Sequence, residues 1–231
     1  MAEKIKAVVL DLDGTIADTI LDIAEALRKT LLKYNDYPFE EIERLSRKYI
    51  GKGGKRLLED TYDALGIDKK ELNADYEVYK AYYEEEPSAL SNLYPNTKHL
   101  LSALKERKIP FALATHKPKK VTEAFLKSKD IASDFVYVFS YEDMAAPKPD
   151  PWCVEEVARR LSVKPREVLM AGDGMTDIGA GLSAGAYTVA VLGGYADQEV
   201  MQNCAAGYHV KDIGEILNII DTVNGENAHE S

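Results

Sequence analysis

Short apolar runs separated by helical patterns organise the chain. The runs are IKAVVL at 5–10, PFALAT at 110–115, FVYVF at 135–139, EVLMAG at 167–172, YTVAVL at 187–192 and a weaker GYHV at 207–210. They do not alternate between apolar and polar positions, and turn residues bound them, which is typical of strands buried on both faces. Strands that alternate with helices predict an α/β fold with a doubly wound parallel sheet.

The uneven spacing of these runs predicts an insertion after the first one. The first run ends at Leu10 and the second begins at Pro110, whereas the later runs follow one another closely. Apolar positions in the gap recur at spacings of three and four, which predicts amphipathic helices and no strand. The first of these helices carries Ile20, Ala24, Leu27, Leu31 and Tyr34. Asp18 or Thr19 is its expected cap.

The sequence therefore divides into two domains and a tail. The α/β core is expected at 1–17 and 89–224, and a small all-helical domain is expected at 18–88. Further helices of that domain are predicted at about 39–49, 54–65 and 69–85. The tail at 225–231 is expected to be disordered, because it is polar and lies at the chain terminus.

Composition and charge narrow the class of protein and its partners. The 231 residues are 45% hydrophobic and 29% charged, which is ordinary for a globular protein with a large core. The 29 basic against 39 acidic residues give a net charge of −10, which disfavours nucleic acid and anionic membrane surfaces as partners. Cys153 and Cys204 have no CxxC spacing, so we expect free thiols in a reducing compartment. No apolar segment approaches the roughly 20 residues that span a bilayer, and the cytoplasm is the expected location.

Polar residues follow the predicted strands at the points where they end. In an open α/β sheet, ligands bind beyond the carboxyl ends of the strands, where the strand order reverses. The residues at those points are Asp11 and Asp13, Thr115 and His116, Lys148 between two prolines, and Asp173 and Asp177. Acids this close repel each other unless a cation lies between them. Oxygen ligands with little sulfur or histidine suit Mg²⁺.

Donors beside these acids predict a phosphate ligand. Thr115 and Lys148 offer a hydroxyl and an ammonium to phosphate oxygens. Gly14 and the glycines at 172 and 174 permit turns that bring backbone N–H groups close to an anion. Asp177 also stands where it would cap the following helix, and this role is compatible with support of a metal.

Taken in order, these four motifs resemble those of the haloacid dehalogenase superfamily of phosphotransferases. DLDGT is similar to the first motif, ALAT to the second, Lys148 in PKPDP to the third and GDGMTD to the fourth. The resemblance implies a Rossmann-like core sheet, and the helical insert resembles the cap of the family's first subclass. It also implies Mg²⁺ as the cofactor and a small phosphorylated metabolite as the substrate.

The resemblance assigns roles residue by residue. It implies that Asp11 is the nucleophile, which forms an aspartyl phosphate, and that Asp13 is the general acid and base. The carboxylates of Asp11 and Asp173 and the backbone carbonyl of Asp13 would hold Mg²⁺, with Asp177 behind them. The residues expected around the phosphate are Thr115, His116, Lys148 and Gly14.

Two sets of residues keep alternative interpretations. His116 stands where relatives often have Asn or Ser, so contact with substrate and a place at the entrance are both open. Tyr76, Tyr79 and Tyr83 share a helix face, and this spacing favours packing within the helical domain over a cage around substrate.

The substrate is predicted from the helical domain, because a cap that closes over the leaving group discriminates among substrates. The segment YIGKGGKRLLED resembles the glycine-bearing loop of phosphoglycolate phosphatases, and 2-phosphoglycolate is the leading candidate. Lys52, Lys55 or Arg56 would meet its carboxylate, or these charges are simply solvated. Pyrophosphate, sugar phosphates, nucleotides and a phosphoglucomutase-like reaction are the alternatives. A phospho-aspartate receiver module is the alternative of another class. A monomer and a homodimer are both open.

Overall fold

The computed structural model describes residues 3–225, so residues 226–231 of the tail predicted to be disordered lie outside the described residues. The strands are β1 (Ala7–Leu10), β2 (Ala17–Asp18), β3 (Asn92–Leu93), β4 (Phe111–Ala114), β5 (Tyr137–Phe139), β6 (Val168–Gly172), β7 (Tyr187–Val191) and β8 (Tyr208–Val210). All six predicted strands are therefore present. Six of the strands form one parallel sheet in the order β5-β4-β1-β6-β7-β8. This confirms the predicted α/β fold with a Rossmann-like sheet.

Helices cover both faces of this sheet, which explains why its strands do not alternate in polarity. Val8 and Leu10 of β1 lie in one apolar cluster, and Ala7 and Val9 lie in another on the opposite face. The helices of the core are α5 (Thr97–Glu106), α6 (Lys119–Ser128), α7 (Trp152–Leu161), α8 (Met175–Ala184), α9 (Gln198–Gln202) and α10 (Ile216–Asn224). Residues of α5, α6 and α10 join the first cluster, and residues of α7 and α8 join the second.

The segment between β2 and β3 consists of helices packed around a cluster of their own. These helices are α1 (Ile20–Leu31), α2 (Phe39–Tyr49), α3 (Gly54–Leu65) and α4 (Leu72–Glu85). Their buried side chains form one cluster, in which Val121 of α6 is the buried partner from the core. We call residues 20–85 the helical insert.

A short two-stranded ribbon joins the helical insert to the sheet. Strands β2 and β3 pair antiparallel, so the outgoing and returning chains run side by side. Asp22 in the first turn of α1 accepts hydrogen bonds from the backbone N–H groups of Leu90 and Ser91, both at 2.9 Å. Asp18 accepts a hydrogen bond from Ile20 at 3.3 Å, whereas the Thr19 side chain makes no cap hydrogen bond. These contacts hold the beginning of the insert against its end.

The sequence predictions can also be compared with the end of α1, the state of the two cysteines and the length of the helices. Helix α1 ends at Leu31, so Tyr34 lies beyond the helix on which its spacing placed it. Cys153 is buried and Cys204 is half-buried, and both are free thiols. Within residues 3–225, no helix is both long enough and apolar enough to cross a bilayer.

A buried carboxylate anchors the inside of the helical insert. Asp75 of α4 accepts hydrogen bonds from the hydroxyls of Tyr34, at 2.7 Å, and Tyr62, and it pairs with the Lys33 ammonium. Burial alone would raise the pKa of Asp75, but hydrogen bonds from Lys33 and the two tyrosines outweigh it and hold the pKa below its usual value.

We expect Asp75→Ala to lower the free energy of unfolding by about 2–4 kcal/mol at pH 7, because it leaves the buried Tyr62 hydroxyl without its carboxylate acceptor and removes the partner of Lys33. The lowered pKa stabilises the fold above about pH 4, so this difference should shrink as the pH falls below that value. Urea denaturation at pH 7 and at pH 3.5 measures both effects. Asp63→Ala removes an exposed carboxylate of α3 and should leave the unfolding midpoint nearly unchanged. An equal midpoint for Asp75→Ala and wild type would contradict this role.

Candidate active site

The ends of three neighbouring strands bring the predicted residues to one cavity. Asp11 and Asp13 follow β1, Thr115 and His116 follow β4, and Asp173 follows β6. All of these residues, with Lys148 and Asp177, line one cavity of about 80 Å³ between the sheet and the helical insert. The strand order reverses at β1, so this cavity lies where open α/β sheets bind ligands.

The loop after β1 is shaped by two buried apolar residues and a glycine. Leu12 and Ile16 are fully buried in the core, and the carbonyl of Leu12 accepts a hydrogen bond from the Ile16 N–H at 3.1 Å. Gly14 has a φ of +86°, a conformation that favours glycine. A Cβ built on Gly14 would overlap the Asp173 carboxylate. The loop therefore turns tightly enough to bring Asp11 and Asp173 together.

The structure does not place Gly14 where its predicted contact with phosphate would need it. Its backbone N–H donates to the carbonyl of Ala17 at 2.9 Å, inside the turn, and is not free for an anion. Gly14 is also outside the set of residues that line the cavity. Its contribution is space for the Asp173 carboxylate rather than a hydrogen bond to phosphate.

Asp11 and Asp177 share the Lys148 ammonium. The Lys148 Nζ lies 2.6 Å from Asp11 Oδ1 and 2.6 Å from Asp177 Oδ1, and it donates to the Ala114 carbonyl at 2.7 Å. Burial raises the pKa of Asp11, Lys148 opposes this, and repulsion from Asp177 and the other acids raises it further. Burial would lower the pKa of Lys148, but Asp11 and Asp177 outweigh it and raise the pKa. The lysine is therefore a fixed positive charge beside Asp11.

Asp173 is oriented by two residues from different segments, Thr15 and Tyr195. Its backbone N–H donates to the Thr15 hydroxyl at 3.0 Å, and that hydroxyl lies 3.1 Å from Asp173 Oδ1. The Tyr195 N–H donates to Asp173 Oδ2 at 2.7 Å. Burial raises the pKa of Asp173 to about 7, and repulsion from Asp177 adds to the effect. Among residues 3–225, no lysine, arginine or histidine side chain pairs with this buried acid.

Asp11, Asp173 and Asp177 can hold a metal ion. One carboxylate oxygen from each lies within 4.8 Å of the others, and all three residues are buried. Asp177 Oδ2 also accepts the Gly174 N–H at 3.0 Å, so Asp177 caps α8 as well. Hard oxygen ligands and raised carboxyl pKa values are what a divalent cation such as Mg²⁺ would relieve. The donor set fits the predicted ion.

Asp13 has surroundings different from those of Asp11. Its Oδ1 accepts hydrogen bonds from the Thr19 hydroxyl at 2.6 Å and from the Lys117 ammonium at 2.8 Å. It lies outside the group of three carboxylates that could hold a metal ion. Its side chain faces the helical insert, where Tyr83 of α4 contacts the same lysine. The two aspartates of the first motif therefore serve separate parts of the cavity.

Thr115 and His116 stand at the edge of the cavity. The Thr115 hydroxyl accepts the Lys117 N–H at 3.1 Å, which leaves its own proton available to an anion. His116 Nδ1 lies 3.1 Å from the Gly51 carbonyl in the helical insert. Burial and the nearby Lys148 lower the pKa of His116, which favours a neutral ring. His116 thus bridges the sheet edge and the insert.

The insert supplies an apolar wall to the cavity. Its lining residues are Ile23, Ile50, Gly51, Gly53, Gly54, Leu57, Tyr79 and Tyr83. Tyr79 and Tyr83 also belong to the core of the insert, which confirms the packing favoured by the tyrosine spacing. Lys52 lines an adjoining cavity with His116. Lys55 and Arg56 are exposed and do not line either cavity, and Arg56 pairs with Glu59 and Asp60.

Three further residues of the site were not predicted from the sequence. Thr15 joins Asp11 and Asp173, Lys117 binds Asp13, and Tyr195 joins Asp173 to Asp18 through its N–H and its hydroxyl. Thr15 and Lys117 lie next to the first and second motifs, so closeness in sequence was an available signal. Tyr195 follows β7, and only the fold brings it to the first motif.

Comparisons with known proteins agree on one family. The sequence model of the haloacid dehalogenase-like hydrolase family matches residues 5–185. Phosphoglycolate phosphatase of Vibrio cholerae is 29% identical over 223 residues, covering 94% of this chain and 98% of that protein. Phosphoglycolate phosphatase of Rhodospirillum rubrum is 30% identical over 201 residues, covering 84% and 83%. The crystal structure of a predicted phosphoglycolate phosphatase from Haemophilus somnus has a TM-score of 0.83 at 25% identity, covering 94% and 98%.

Two adjacent glycines test the packing around Asp173. A Cβ on Gly194 would overlap the Asp173 carboxylate, whereas a Cβ on Gly193 would come no closer than 3.6 Å to the Lys211 carbonyl. We expect Gly194→Ala to lower the free energy of unfolding by about 1–3 kcal/mol, because overpacking a buried site forces its neighbours to move. Gly193→Ala should cost much less. Urea denaturation of both variants checks this, and equal losses would show that Asp173 is not held in this position.

Proposed function

Because this chain belongs to the haloacid dehalogenase-like hydrolase family and is a phosphatase, we propose that it is Mg²⁺-dependent and acts on small phosphomonoesters through an aspartyl phosphate on Asp11. The observation that carries the proposal is the buried group of Asp11, Asp173 and Asp177 around Lys148. Buried like charges cost stability, and the capping of α8 by Asp177 does not explain why Asp11 and Asp173 lie beside it. An enzyme explains both the family match and the residues of the site, whereas a receiver module does not.

Asp11 is the proposed nucleophile. One of its carboxylate oxygens would attack phosphorus, form a new P–O bond and displace the substrate's alkoxide. Lys148 lies 2.6 Å from Oδ1 and restrains the side chain, so Oδ2 is the oxygen better placed to react. A covalent intermediate divides one difficult hydrolysis into two easier displacements.

Asp13 is the proposed general acid and base. It would give a proton to the departing alkoxide, and then take a proton from the water that attacks phosphorus in the aspartyl phosphate. This second step releases phosphate and restores the Asp11 carboxylate. Thr19 and Lys117 hold one oxygen of Asp13, which leaves its other oxygen for proton transfer.

Residues of the sheet would bind the phosphate and the metal. The Thr115 hydroxyl and the Lys148 ammonium are the donors proposed for phosphate oxygens. Asp11, Asp173 and the backbone carbonyl of Asp13 would hold Mg²⁺, with Asp177 in support. When bound, Mg²⁺ supplies positive charge between the nucleophile and the phosphate, which would otherwise repel each other.

The helical insert is proposed to act as a cap over the leaving group. It forms the apolar wall of the cavity and is joined to the sheet by the β2–β3 ribbon. Closure over the substrate would exclude water other than the nucleophile. A cavity of about 80 Å³ favours a small metabolite, since a single water needs roughly 10–15 Å³ on this measure.

The proposed substrate is 2-phosphoglycolate. It is supported by relatives named phosphoglycolate phosphatase that are 28–30% identical and extend over most of this chain. We also propose that the protein is cytoplasmic and that it is a monomer or a homodimer. Pyrophosphate, sugar phosphates and nucleotides are the competing substrates.

A panel assay with Mg²⁺ tests substrate and metal together. We expect phosphate release from 2-phosphoglycolate to exceed that from glucose 6-phosphate, adenosine monophosphate and pyrophosphate, and chelation by EDTA to abolish it reversibly. Added Mg²⁺ should restore the rate. Absence of phosphate release from every member of the panel would overturn the proposal, and equal rates with and without EDTA would overturn its metal requirement.

Asp11→Asn tests the nucleophile. We expect turnover to fall by at least about 10³-fold, because an amide does not attack phosphorus, while the far-ultraviolet circular dichroism stays the same. Asp36→Asn changes an exposed carboxylate outside the cavity lining and should keep wild-type activity. Activity of Asp11→Asn near the wild-type rate would refute the assignment.

A further inference from the structure

Lys117 is a buried cation, and the proposed reaction does not fully explain why a positive charge is needed at this position. It follows β4 directly after Thr115 and His116, and its side chain is 1% exposed. Its ammonium lies 2.8 Å from Asp13 Oδ1, contacts the Tyr83 hydroxyl and lies 4.5 Å from the centre of the Tyr83 ring. Lysine is almost never fully buried unless it is paired; Lys117 is paired with Asp13, but burial of the two charges still carries a desolvation cost.

The two lysines that line the cavity differ in how their donors are used. An ammonium has three N–H donors. Lys148 donates hydrogen bonds to Asp11 and the Ala114 carbonyl and forms an ion pair with Asp177, so three acceptors surround its ammonium. Lys117 has two hydrogen-bonding partners among the described residues, Asp13 and Tyr83. Lys117 therefore keeps one donor for a ligand, and it lies on the side of Asp13 that faces the insert.

Tyr79 offers a second donor in the same part of the cavity. It is 2% exposed, and its hydroxyl has no hydrogen-bonding partner within residues 3–225. Its ring lies at the beginning of α3, since a Cβ built on Gly54 would be 2.9 Å from Tyr79 Cε1. Burial and the nearby Asp13 raise the pKa of Tyr79, so the hydroxyl keeps its proton.

The exposed charges of the insert are poorly placed for this task. Lys52, Lys55 and Arg56 are exposed and lie outside the lining of the main cavity. Four carboxylates line that cavity, so an anionic leaving group would be repelled unless a cation met it there. A neutral leaving group would instead leave the spare donor of Lys117 unpaired in a buried site.

We propose that Lys117 determines substrate specificity, with its ammonium and the Tyr79 hydroxyl binding a carboxylate on the leaving group of the phosphomonoester. This inference rests on the proposed function, and it assigns the recognition of the carboxylate to a residue of the sheet rather than to the charged loop of the insert. Lys117 would thereby place the leaving group beside Asp13, the residue proposed to donate a proton to that group.

The test compares kcat/KM for 2-phosphoglycolate with kcat/KM for 2-hydroxyethyl phosphate, whose leaving group is neutral. We expect the wild type to prefer the acid. Lys117→Met should reduce this preference by about 10- to 100-fold, mainly through KM, and Tyr79→Phe should reduce it by about 3- to 10-fold. Lys120→Met is the matched control, because Lys120 reaches Glu84 of α4 from α6 outside the cavity and should keep the wild-type ratio.

The ratio separates specificity from a purely positioning role. If Lys117 only orients Asp13, both substrates lose the same factor and the unchanged ratio overturns the proposal. If Lys117→Met does not fold, Lys117→Gln and Tyr79→Phe decide by the same criterion. If the wild type shows no preference for the acid, or if it prefers pyrophosphate, this inference is overturned. The protein would still be a phosphatase. A wild type that hydrolyses no phosphomonoester overturns the proposed function as well.

Discussion

The repulsion among carboxylates at the ends of β1 and β6 is the constraint on which the site depends. Asp11, Asp173 and Asp177 are buried together, and Lys148 lies within 2.6 Å of two of them. One ammonium does not neutralise three carboxylates, so the described residues leave a local excess of negative charge. Burial raises the pKa values of Asp11 and Asp173, and repulsion from the neighbouring acids raises them further.

A rigid sheet is what keeps these acids close. The strands on either side of β1 are parallel and fully buried, so the loops that leave them cannot move apart without disrupting the core. Small residues complete the arrangement, because Gly14 and Gly194 leave room for the Asp173 carboxylate. Packing energy in the apolar clusters thus compensates for electrostatic cost at the strand ends.

The helical insert is tied to the site through the surroundings of Asp13 and, by way of Tyr195, through Asp173. Thr19 stands where the chain enters α1, and Lys117 links Asp13 to Tyr83 of α4. Tyr195 adds a third link, because its hydroxyl bonds to Asp18 while its N–H bonds to Asp173. A shift of the insert would therefore change the surroundings of the proposed acid and base first. This arrangement suits the proposed closure of the insert over the substrate.

The sequence by itself determined the six strands of the sheet, the helices of the insert and the acids at the strand ends. These features depend on local patterns, and parallel strands must bring their carboxyl ends to one edge. Only the tertiary structure decided which donors the acids use. The Gly14 N–H binds Ala17 instead of facing the cavity, Tyr195 joins Asp173 from a distant loop, and Lys117 rather than Arg56 reaches the cavity. Hydrogen-bonding partners depend on directions and distances between segments far apart in sequence, and no local pattern contains these.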